Sequence, residues 1–565
     1  MKITEKAYQR PHRAKKVLKV TAAVFLCVSA LILGFSWFTV WYCTAREPVL
    51  LGTPPILKES LVKDGERAII GKSWIAKKDG ILRMYLEGDP FTLGYCNAKL
   101  TQDYMQKQEE SLYHTVRQFV PSKVKLWLLT LYVYWMNRNL PDYVPSDYQM
   151  EIYGLSRGYV DPFRGIASLY HRILNYHAAH DISHVVMDSP LMGCTSFAAW
   201  GRKTADGHLL VGRNFDFNPG RWFDENKIVI KVKPDRGLGF ISVAWSGMAG
   251  AVSGINDAHI AVSINGARSA LPHTVGTPVS LVMREVLQYA RTLEEAVEII
   301  RRSRVFVSDL YLVACGKTSR AVVVEKTPTK CAVRQVSGDF IVCANHFQTR
   351  ELERDPDNLK YIAEGTSLDR YHRMFELVDK FDGSLAPEVA ATILRDREVP
   401  GGNKIAYGNE AAINPLIATH SVIIDVTAGI IWVSQAPHQL GAFVPFGLAN
   451  FDNPQNVRLI PPDRMLEDGS YERYLTAEKN RSRAQEFLKA GDFAGAWREA
   501  LAACDLNPGY YRPWWLLGKI AAQQGKTQEA QEYLIKAQKL YPAFAHERQE
   551  IQEMLAKLTG RTAKP

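Results

Sequence analysis

The feature that most constrains the fold is an uncharged, apolar run from Val20 to Trp41. A helix needs about 20 apolar residues to cross the ~30 Å hydrocarbon layer of a membrane, and this run is long enough. Trp37, Phe38 and Trp41 lie at its far end, where aromatic side chains favour the membrane interface. The segment before the run is strongly basic and holds one acid, Glu5; its basic residues are Lys2, Lys6, Arg10, Arg13, Lys15, Lys16 and Lys19.

This pattern predicts a basic cytoplasmic segment over residues 1–19 and a transmembrane signal anchor over 20–42. Because basic flanks remain in the cytoplasm, the rest of the chain should lie outside, in a periplasmic or extracellular space. A cleaved signal peptide is the alternative. Against it, the apolar run is longer than the usual h-region of about 7–15 residues, and no small-x-small cleavage site follows.

Composition excludes several classes of function. The chain has 565 residues, 47% of them hydrophobic and 23% charged, which indicates several folded domains. The net charge of +10 is concentrated partly before the apolar run, and elsewhere acids and bases alternate, so we expect no nucleic-acid partner. The eight cysteines contain no C-x-x-C pair, so they indicate no zinc knuckle or thioredoxin-type site, and we expect no metal and no cofactor. Cys315, Cys331 and Cys343 are interpreted as buried strand residues, although two of them could form a disulfide if the domain is extracytoplasmic.

The chemistry centres on Cys194, in the stretch that runs from Leu191 to Trp200. A thiol is a weak nucleophile until a base takes its proton or its pKa is lowered. If the Gly193–Cys194 bond is cut, Cys194 becomes an N-terminal residue whose α-amine, with a pKa near ~8, can serve as that base. We therefore predict a cleavage site between Gly193 and Cys194, with glycine giving the backbone freedom that the attack requires.

Two charged residues follow in Gly212-Arg213-Asn214-Phe215-Asp216-Phe217. The cation of Arg213 should favour the thiolate, and Asp216 should hold the α-amine by a charge-assisted hydrogen bond. The alternatives are an ordinary surface ion pair for Arg213 and Asp216, and an ordinary buried cysteine for Cys194.

The pattern of apolar residues divides the rest of the chain. Residues 50–193 are predicted to be mostly helical. Residues 194–460 contain short strands separated by turns, then helices, then strands again, which indicates an α+β layered sandwich. Residues 470–560 repeat with a period of 34 residues and resemble tetratricopeptide repeats. About two repeats are too few for independent stability, so this tail should pack on the main domain or on a partner protein.

A histidine cluster precedes the cysteine. His177, His180 and His184 have spacings that place them on one helix face, with His171 nearby, which is compatible with a metal site. No matching carboxylate or cysteine pattern accompanies them, and a polar helix end is the simpler interpretation. Farther along, Asn414, Pro415 and His420 lie near the entry to a strand, and we interpret them as structural.

Cys194 with the Arg-Asn-Phe-Asp segment resembles the N-terminal-nucleophile hydrolases related to choloylglycine hydrolase, penicillin V acylase and acid ceramidase. The order of later motifs is most similar to the acyl-coenzyme A:6-aminopenicillanate acyltransferase-like family. The segments that carry this resemblance are Gly88-Asp89-Pro90, Glu151–Leu155, Ser253–Asp257, Val262–Gly266, Ala344–Phe347 and Ser367–Tyr371. The resemblance covers about residues 80–460 and implies a self-cleaved chain with a four-layer αββα core.

The resemblance also implies roles for three later residues. Asn345 would donate its side-chain amide to the developing oxyanion, which is typically worth ~3 kcal/mol. Asn265 would position substrate or water, and Arg370 would act as a supporting ion-pair partner. For Asn265 and Asn345, ordinary turn residues after strands are the alternative.

The predicted function is therefore a membrane-anchored amidohydrolase or acyltransferase acting on linear amide bonds. Both reactions pass through the same acyl-enzyme and differ in whether water or another nucleophile accepts the acyl group. The expected partners are a small acylated amide or lipid-like substrate, the membrane and a protein bound by the tail. The alternative is an inactive scaffold that binds a partner protein through the tail.

Overall fold

The computed structural model describes residues 10–163, 168–178, 181, 193–217, 220–270 and 275–560. Its first element is the helix α1 (Arg10–Cys43). Within the described residues, this helix alone is long and apolar enough to cross a membrane, a test that a signal sequence also passes. Its far end packs on the protein. The ring of Tyr42 meets that of Trp135, and the backbone N–H of Ala45 donates to His171 Nδ1 at 3.0 Å.

A large antiparallel-rich sheet forms the centre of the fold, and it begins earlier in the chain than the sequence suggests. Residues 62–88 supply four of its strands, although the sequence pattern predicts a mostly helical segment over residues 50–193. The sheet has the spatial order β1-β2-β3-β4-β7-β8-β9-β10-β11-β12-β13. Its strands are β1 (Val62–Asp64), β2 (Arg67–Ile70), β3 (Ser73–Lys78), β4 (Ile81–Gly88), β7 (Ile228–Pro234), β8 (Phe240–Ala244), β9 (Ser253–Asn256), β10 (Ile260–Ala267), β11 (Ser308–Cys315), β12 (Arg320–Lys326) and β13 (Cys331–Arg334).

A second sheet carries the strand that follows Cys194. Its spatial order is β14-β5-β6-β17-β18-β19. Its strands are β5 (Thr195–Ala199), β6 (Leu210–Asp216), β14 (Phe340–Cys343), β17 (Ala418–Asp425), β18 (Ile430–Ser434) and β19 (Phe443–Gly447), and a two-stranded ribbon of β15 (Glu398–Val399) and β16 (Asn403–Lys404) lies apart. All five residues of β5 and all seven of β6 are buried, as expected for strands covered on both faces.

Three apolar clusters give the order of layers. One cluster lies between the two sheets and includes Val229, Leu312 and Val422. A second covers the outer face of the large sheet, and a third covers the outer face of the second sheet. The chain therefore has a mixed α/β fold in which two facing sheets are covered by helices.

The main domain carries helices on both sides of Cys194 in the chain. They are α2 (Pro90–Leu100), α3 (Gln102–Phe119), α4 (Lys123–Met136), α5 (Ser146–Gly158), α6 (Leu169–His177), α7 (Arg221–Glu225), α8 (Val279–Tyr289), α9 (Leu293–Arg302), α10 (Pro356–Glu364), α11 (Ser367–Asp379) and α12 (Pro387–Leu394). Helices α2, α8 and α9 contribute to the cluster on the large sheet, whereas α11 and α12 pack on the second sheet.

The helices before Cys194 are locked onto the main domain. Helices α2 and α5 approach so closely that a Cβ on Gly94 would lie 1.8 Å from the carbonyl oxygen of Glu151, a contact that only glycine permits. The carboxylate of Glu151 in turn accepts two hydrogen bonds from Arg284, at 3.1 and 3.0 Å, with both side chains buried.

The C-terminal tail consists of the helices α13 (Ser470–Lys489), α14 (Phe493–Leu506), α15 (Tyr511–Gln523), α16 (Thr527–Lys539) and α17 (Ala545–Leu558). Gly491 and Gly525, which are equivalent in the 34-residue period, both have positive φ, at 80° and 74°, in the turns between helices. The tail packs on the main domain, with Asn507 Nδ2 donating to the carbonyl oxygen of Tyr407 at 3.0 Å. Its likeness to tetratricopeptide repeats stays a prediction.

Candidate active site

Strand pairing brings Cys194 beside Asp216. Strand β5 begins directly after Cys194 and pairs antiparallel with β6, with Thr195 opposite Asn214. The backbone N–H of Gly193 donates to the carbonyl oxygen of Asp216 at 3.0 Å, which extends this pairing by two residues. Cys194 is 1% exposed. The predicted cleavage site is therefore held as a short strand extension next to the predicted charged residues.

Arg213 lies under the sulfur of Cys194. It is fully buried, so the surface ion pair considered from the sequence is excluded for it. Its Nη2 lies 3.9 Å from Cys194 Sγ and also donates to the carbonyl oxygen of Ile264. Its Nη1 donates to Ser253 Oγ at 2.6 Å and lies 3.2 Å from His420 Nε2. The guanidinium is thus fixed by several acceptors, which makes it a positioned cation.

In the intact chain, burial has a larger effect on the pKa of the Cys194 thiol than the nearby positive charge has. Burial raises the pKa of Cys194, and the nearby cation of Arg213 lowers it by a smaller amount. Arg213 therefore shifts the pKa of the thiol downward, as expected for a cation that favours the thiolate. The shift is smaller than the upward shift caused by desolvation. A base is still needed to remove the proton from sulfur.

Asp216 is a buried acid without a hydrogen-bond partner among the described residues, for either carboxyl oxygen. Burial raises the pKa of Asp216 to about 7, while Arg370 and Arg213 pull it down. An unpaired buried acceptor is costly, and a nearby cationic donor relieves that cost. The α-amine that cleavage would create at Cys194 is such a donor.

Arg370, for which the sequence suggested a supporting role, directly contacts the predicted cleavage site. It lies on the first turn of α11 and is 1% exposed. Its Nη1 donates to the carbonyl oxygen of Gly193, to the carbonyl oxygen of Cys194 at 2.8 Å and to Thr195 Oγ1 at 2.8 Å. A guanidinium in this place polarises the carbonyl that a thiol at Cys194 would attack.

Asn345 hydrogen-bonds to Arg370, but in the intact chain its side-chain amide does not donate toward the position expected for an oxyanion. Its Oδ1 accepts from Arg370 Nη2 at 2.8 Å, and its Nδ2 donates to the carbonyl oxygen of Gly266 at 2.8 Å. In the intact chain the amide therefore orients Arg370, and one of its two N–H bonds is already engaged.

Asn265 lies between the two sheets, close to this network. Its Nδ2 donates to Ser196 Oγ and to the carbonyl oxygen of Ala344, at 3.2 and 3.0 Å. Its Oδ1 is buried without a partner in the described part of the chain. Both asparagines are buried and contact other strands, so they are more than turn residues.

Two residues of the site were not predicted from the sequence. His420 was interpreted as structural, but its Nε2 lies 3.1 Å from Ser253 Oγ and 3.2 Å from Arg213. Burial lowers the pKa of His420 well below its usual range, so the ring is neutral and accepts hydrogen bonds. Ser253 is the first residue of the Ser253–Asp257 segment, which contributes to the family resemblance. That resemblance is the sequence signal that points to Ser253.

The histidine cluster does not form a separate centre within the described residues. His171 Nδ1 accepts from Ala45, and His177 Nε2 accepts from the backbone of Ala249 at 2.9 Å. His180 and His184 lie outside the described residues. Another possible group of metal ligands, Asp206, His208 and Asp425, lies at the opposite end of β6 and β17 from Cys194.

A cavity opens beside the Gly193 carbonyl. Its walls combine the polar side chains of Arg370 and Glu410 with apolar and aromatic groups, among them Tyr361, Ile417 and Phe544. Phe544 belongs to the C-terminal tail. Of the site residues, Gly193 and Arg370 line this cavity. A thiol, two guanidiniums and an unpaired carboxyl thus lie at or next to residues that border a cavity with a largely apolar wall, an arrangement suited to acyl transfer.

Comparison with known proteins gives a family match in the main domain. Residues 202–409 match the family described as acyl-coenzyme A:6-aminopenicillanic acid acyl-transferase. The matched residues include Arg213, Asp216, Asn265, Asn345 and Arg370. They do not include Cys194 or the tail.

Two relatives match over longer stretches. An uncharacterized protein of Archaeoglobus fulgidus is 27% identical over 385 residues, which cover 61% of this chain and 62% of that protein. The chain thus spans less than two thirds of that relative's length. The N-acylethanolamine-hydrolyzing acid amidase of Caenorhabditis elegans is 24% identical over 273 residues, which cover 46% of this chain and 73% of the amidase.

Solved structures that align with the chain include an acid amidase and a bile acid hydrolase. The Caenorhabditis elegans N-acylethanolamine-hydrolyzing acid amidase ortholog aligns with a TM-score of 0.29 and 18% identity, over 41% of this chain and 93% of its own. Conjugated bile acid hydrolase from Clostridium perfringens aligns with a TM-score of 0.30 and 11% identity, over 48% of this chain and 97% of its own. The family match confirms the predicted resemblance: the chain is similar to the acyl-coenzyme A:6-aminopenicillanic acid acyl-transferase family and to an N-acylethanolamine-hydrolyzing acid amidase.

Proposed function

We propose that this protein is a self-cleaving amidohydrolase or acyltransferase whose nucleophile is the thiol of Cys194. The observation that carries the proposal is the hydrogen bond from Arg370 Nη1 to the carbonyl oxygen of Gly193, the residue directly before that thiol. A buried cation on this carbonyl is the donor that a tetrahedral intermediate at Gly193 requires.

Self-cleavage would begin when Cys194 Sγ attacks the carbonyl carbon of Gly193. The carbonyl oxygen becomes an oxyanion held by Arg370, and the C–N bond then breaks as the nitrogen of Cys194 takes up a proton. The product is a thioester between Gly193 and Cys194 Sγ. Water hydrolyses it, leaving a carboxylate on Gly193, a free thiol and a free α-amine on Cys194.

The mature site would use the same sulfur on a substrate amide. The new α-amine takes the proton from the thiol as general base and passes it to the leaving nitrogen as general acid. Asp216 holds the amine, since its carboxyl oxygens are buried and have no other partner among the described residues. Arg213 stabilises the thiolate from 3.9 Å away.

The oxyanion of the substrate reaction would be stabilised by Asn345 and Arg370. The Gly193 carbonyl leaves its place when the chains separate at this point, which frees Arg370 Nη1 for a substrate oxygen. Asn345 lies 2.8 Å from the other end of the guanidinium and has a second N–H to offer. Asn265 would position substrate or water through its unpaired Oδ1.

We further propose an N-acyl amide as the substrate, anchored in or near a membrane. The curated relative with an activity in its name hydrolyses N-acylethanolamines, which are acylated amides. Helix α1 would serve as the signal anchor, with the basic residues 1–19 in the cytoplasm and the catalytic domain on the periplasmic or extracellular side. Anchoring at a membrane suits a lipid-like substrate.

The test is to express the full chain in membranes, purify it in detergent and analyse it under denaturing conditions. We expect two fragments whose masses and N-terminal sequence meet at Gly193–Cys194. Cys194→Ala should give one intact chain, whereas the matched control Cys331→Ala, at the sheet edge, should cleave normally. The mature protein should then release amine from N-acyl amides. An intact wild-type chain without turnover would contradict the proposal and favour the inactive scaffold.

A further inference from the structure

The C-terminal tail is joined to the active site as well as to the domain surface. The segment between α16 and α17 reaches α11 at the residue next to Arg370, where Tyr541 Oη donates to Asp369 Oδ1 at 3.0 Å. The carbonyl oxygen of Tyr541 accepts from Asn409 Nδ2 at 2.9 Å. Arg548 Nη1 fixes the next residues by donating to the carbonyl oxygens of Pro542 and Ala543. The segment that carries Phe544 is therefore held in a defined position.

A network of ion pairs also connects this part of the tail to the main domain. Arg512 on α15 pairs with Glu410 of the main domain at 2.6 Å and with Glu547 on α17 at 2.9 Å. Tyr511 Oη donates to the second oxygen of Glu547. These side chains are mostly buried, so their mutual placement depends on every member of the network. The tail thereby fixes Glu410, whose Oε2 has no hydrogen-bond partner among the described residues.

Phe544 is the tail's contribution to the cavity beside Gly193. The residue is 4% exposed and packs within the tail's own apolar cluster, yet it lines the cavity together with Gly193 and Arg370. Pro415 and Ile417 of the main domain add apolar surface to the wall. An acyl group that took the place of Gly193 on the sulfur of Cys194 would lie against the cavity that Gly193 and Phe544 both line.

We infer that the C-terminal helical tail forms one wall of the substrate pocket, and that Phe544 sets the length of the apolar acyl chain that the pocket accepts. The inference rests on the proposed function for its substrate class, an N-acyl amide with an alkyl chain. An apolar pocket discriminates between chains by the fit of each methylene, which is worth roughly tenfold or more in specificity. The tail is then a specificity element that the family match, ending at residue 409, does not cover.

The main experiment measures kcat/KM for a series of N-acyl amides that share one amine and differ in acyl length. Phe544→Ala should shift the preferred length toward longer chains and change the ratio between long and short substrates by about tenfold. Phe544→Leu, which keeps most of the packing, should give a smaller shift in the same direction. Ile535→Ala, an exposed position on α16 that is 43% exposed, serves as the matched control and should leave the profile unchanged. Superimposable profiles for all variants would overturn the inference.

A second experiment separates this inference from the proposed enzymatic function. N-alkyl iodoacetamides of increasing chain length alkylate a thiol without any turnover, and mass spectrometry quantifies the modification of Cys194. The wild-type rate should depend on alkyl length, and Phe544→Ala should move that dependence toward longer chains. An unchanged dependence, or a sulfur that reacts with no reagent of any length, would overturn the inference even if amides are hydrolysed. Self-cleavage of each variant checks that it folds.

Discussion

Arg370 donates a hydrogen bond to the carbonyl oxygen of Gly193, and its other Nη donates to Asn345 at 2.8 Å. The guanidinium thus connects the bond that we expect to be cut with the asparagine that the family resemblance assigns to the oxyanion. That resemblance implies only a supporting ion-pair role for Arg370. In the intact chain the roles are reversed, because the arginine reaches the scissile carbonyl and the asparagine holds the arginine.

Arg370→Ala should slow self-cleavage by a factor of about 10²–10³, the usual effect of removing one oxyanion donor. The measurement is the half-time of the intact chain on a denaturing gel after synthesis is stopped. His372→Ala changes an exposed residue on the same helix and should cleave at the wild-type rate. Wild-type cleavage by Arg370→Ala would remove Arg370 from the mechanism.

Gly193→Ala should retain self-cleavage within about threefold of the wild-type rate. The sequence suggested a conformational role for Gly193, but its φ is not positive in the structure. A Cβ at this position would lie 3.6 Å from the Arg370 guanidinium carbon, which is an ordinary contact. The same gel assay measures the rate, and an uncleaved Gly193→Ala chain would restore the original argument for glycine.

Asp216 should make the intact chain less stable as pH rises. Burial raises its pKa from the ordinary 3.8 to about 7, so the folded state keeps a proton that the unfolded state releases between these values. The contribution of protonated Asp216 to the free energy of unfolding is complete below about pH 4 and is lost as pH rises through 7. The free energy of unfolding falls by up to about 4 kcal/mol over this range.

The measurement compares urea unfolding of Cys194→Ala with that of Cys194→Ala/Asp216→Asn between pH 4 and pH 8. The Cys194→Ala background keeps the chain uncleaved, so no α-amine neutralises the acid. The asparagine cannot ionise, so the double variant should gain stability relative to its parent as pH rises. A constant difference across this range would show that Asp216 is not a buried, titrating acid.

The site residues that the sequence predicts best are those that lie close to Cys194 along the chain. Arg213 and Asp216 lie on β6, and Cys194 directly precedes β5, the strand paired with it, so a short motif carries both the residues and their proximity. The strands over residues 62–78 were missed because they are short, charged and partly exposed, with no alternation of apolar residues.

Contacts made across long sequence separations could not be predicted. The interaction of Arg370 with Gly193 joins residues 177 positions apart, and only the family resemblance suggested that Arg370 belongs to the site. Phe544 gave no signal at all, because a phenylalanine between two helices is an ordinary core residue. Its place at the cavity depends on how the tail docks, which local sequence patterns do not encode.

The two chains produced by cleavage should stay together under native conditions. Strand β4, before the cut, pairs in parallel with β7, after it, over seven residue pairs from Leu82 opposite Ile228 to Gly88 opposite Pro234. The shared apolar cluster and the buried pair of Glu151 with Arg284 add to this interface. We expect both fragments to co-elute from a size-exclusion column in mild detergent and to separate only in denaturant.

Glu151→Ala tests how far the buried pair holds the fragments together. Removing one partner leaves Arg284 buried and unpaired, which typically costs about 3–5 kcal/mol, so the fragments should separate at a lower denaturant concentration. Lys72→Ala breaks the exposed pair with Glu87, worth at most about 1 kcal/mol, and should leave the midpoint nearly unchanged. If the N-terminal fragment of the wild-type protein elutes alone in native buffer, the sheet does not survive the cut and the site cannot depend on both chains.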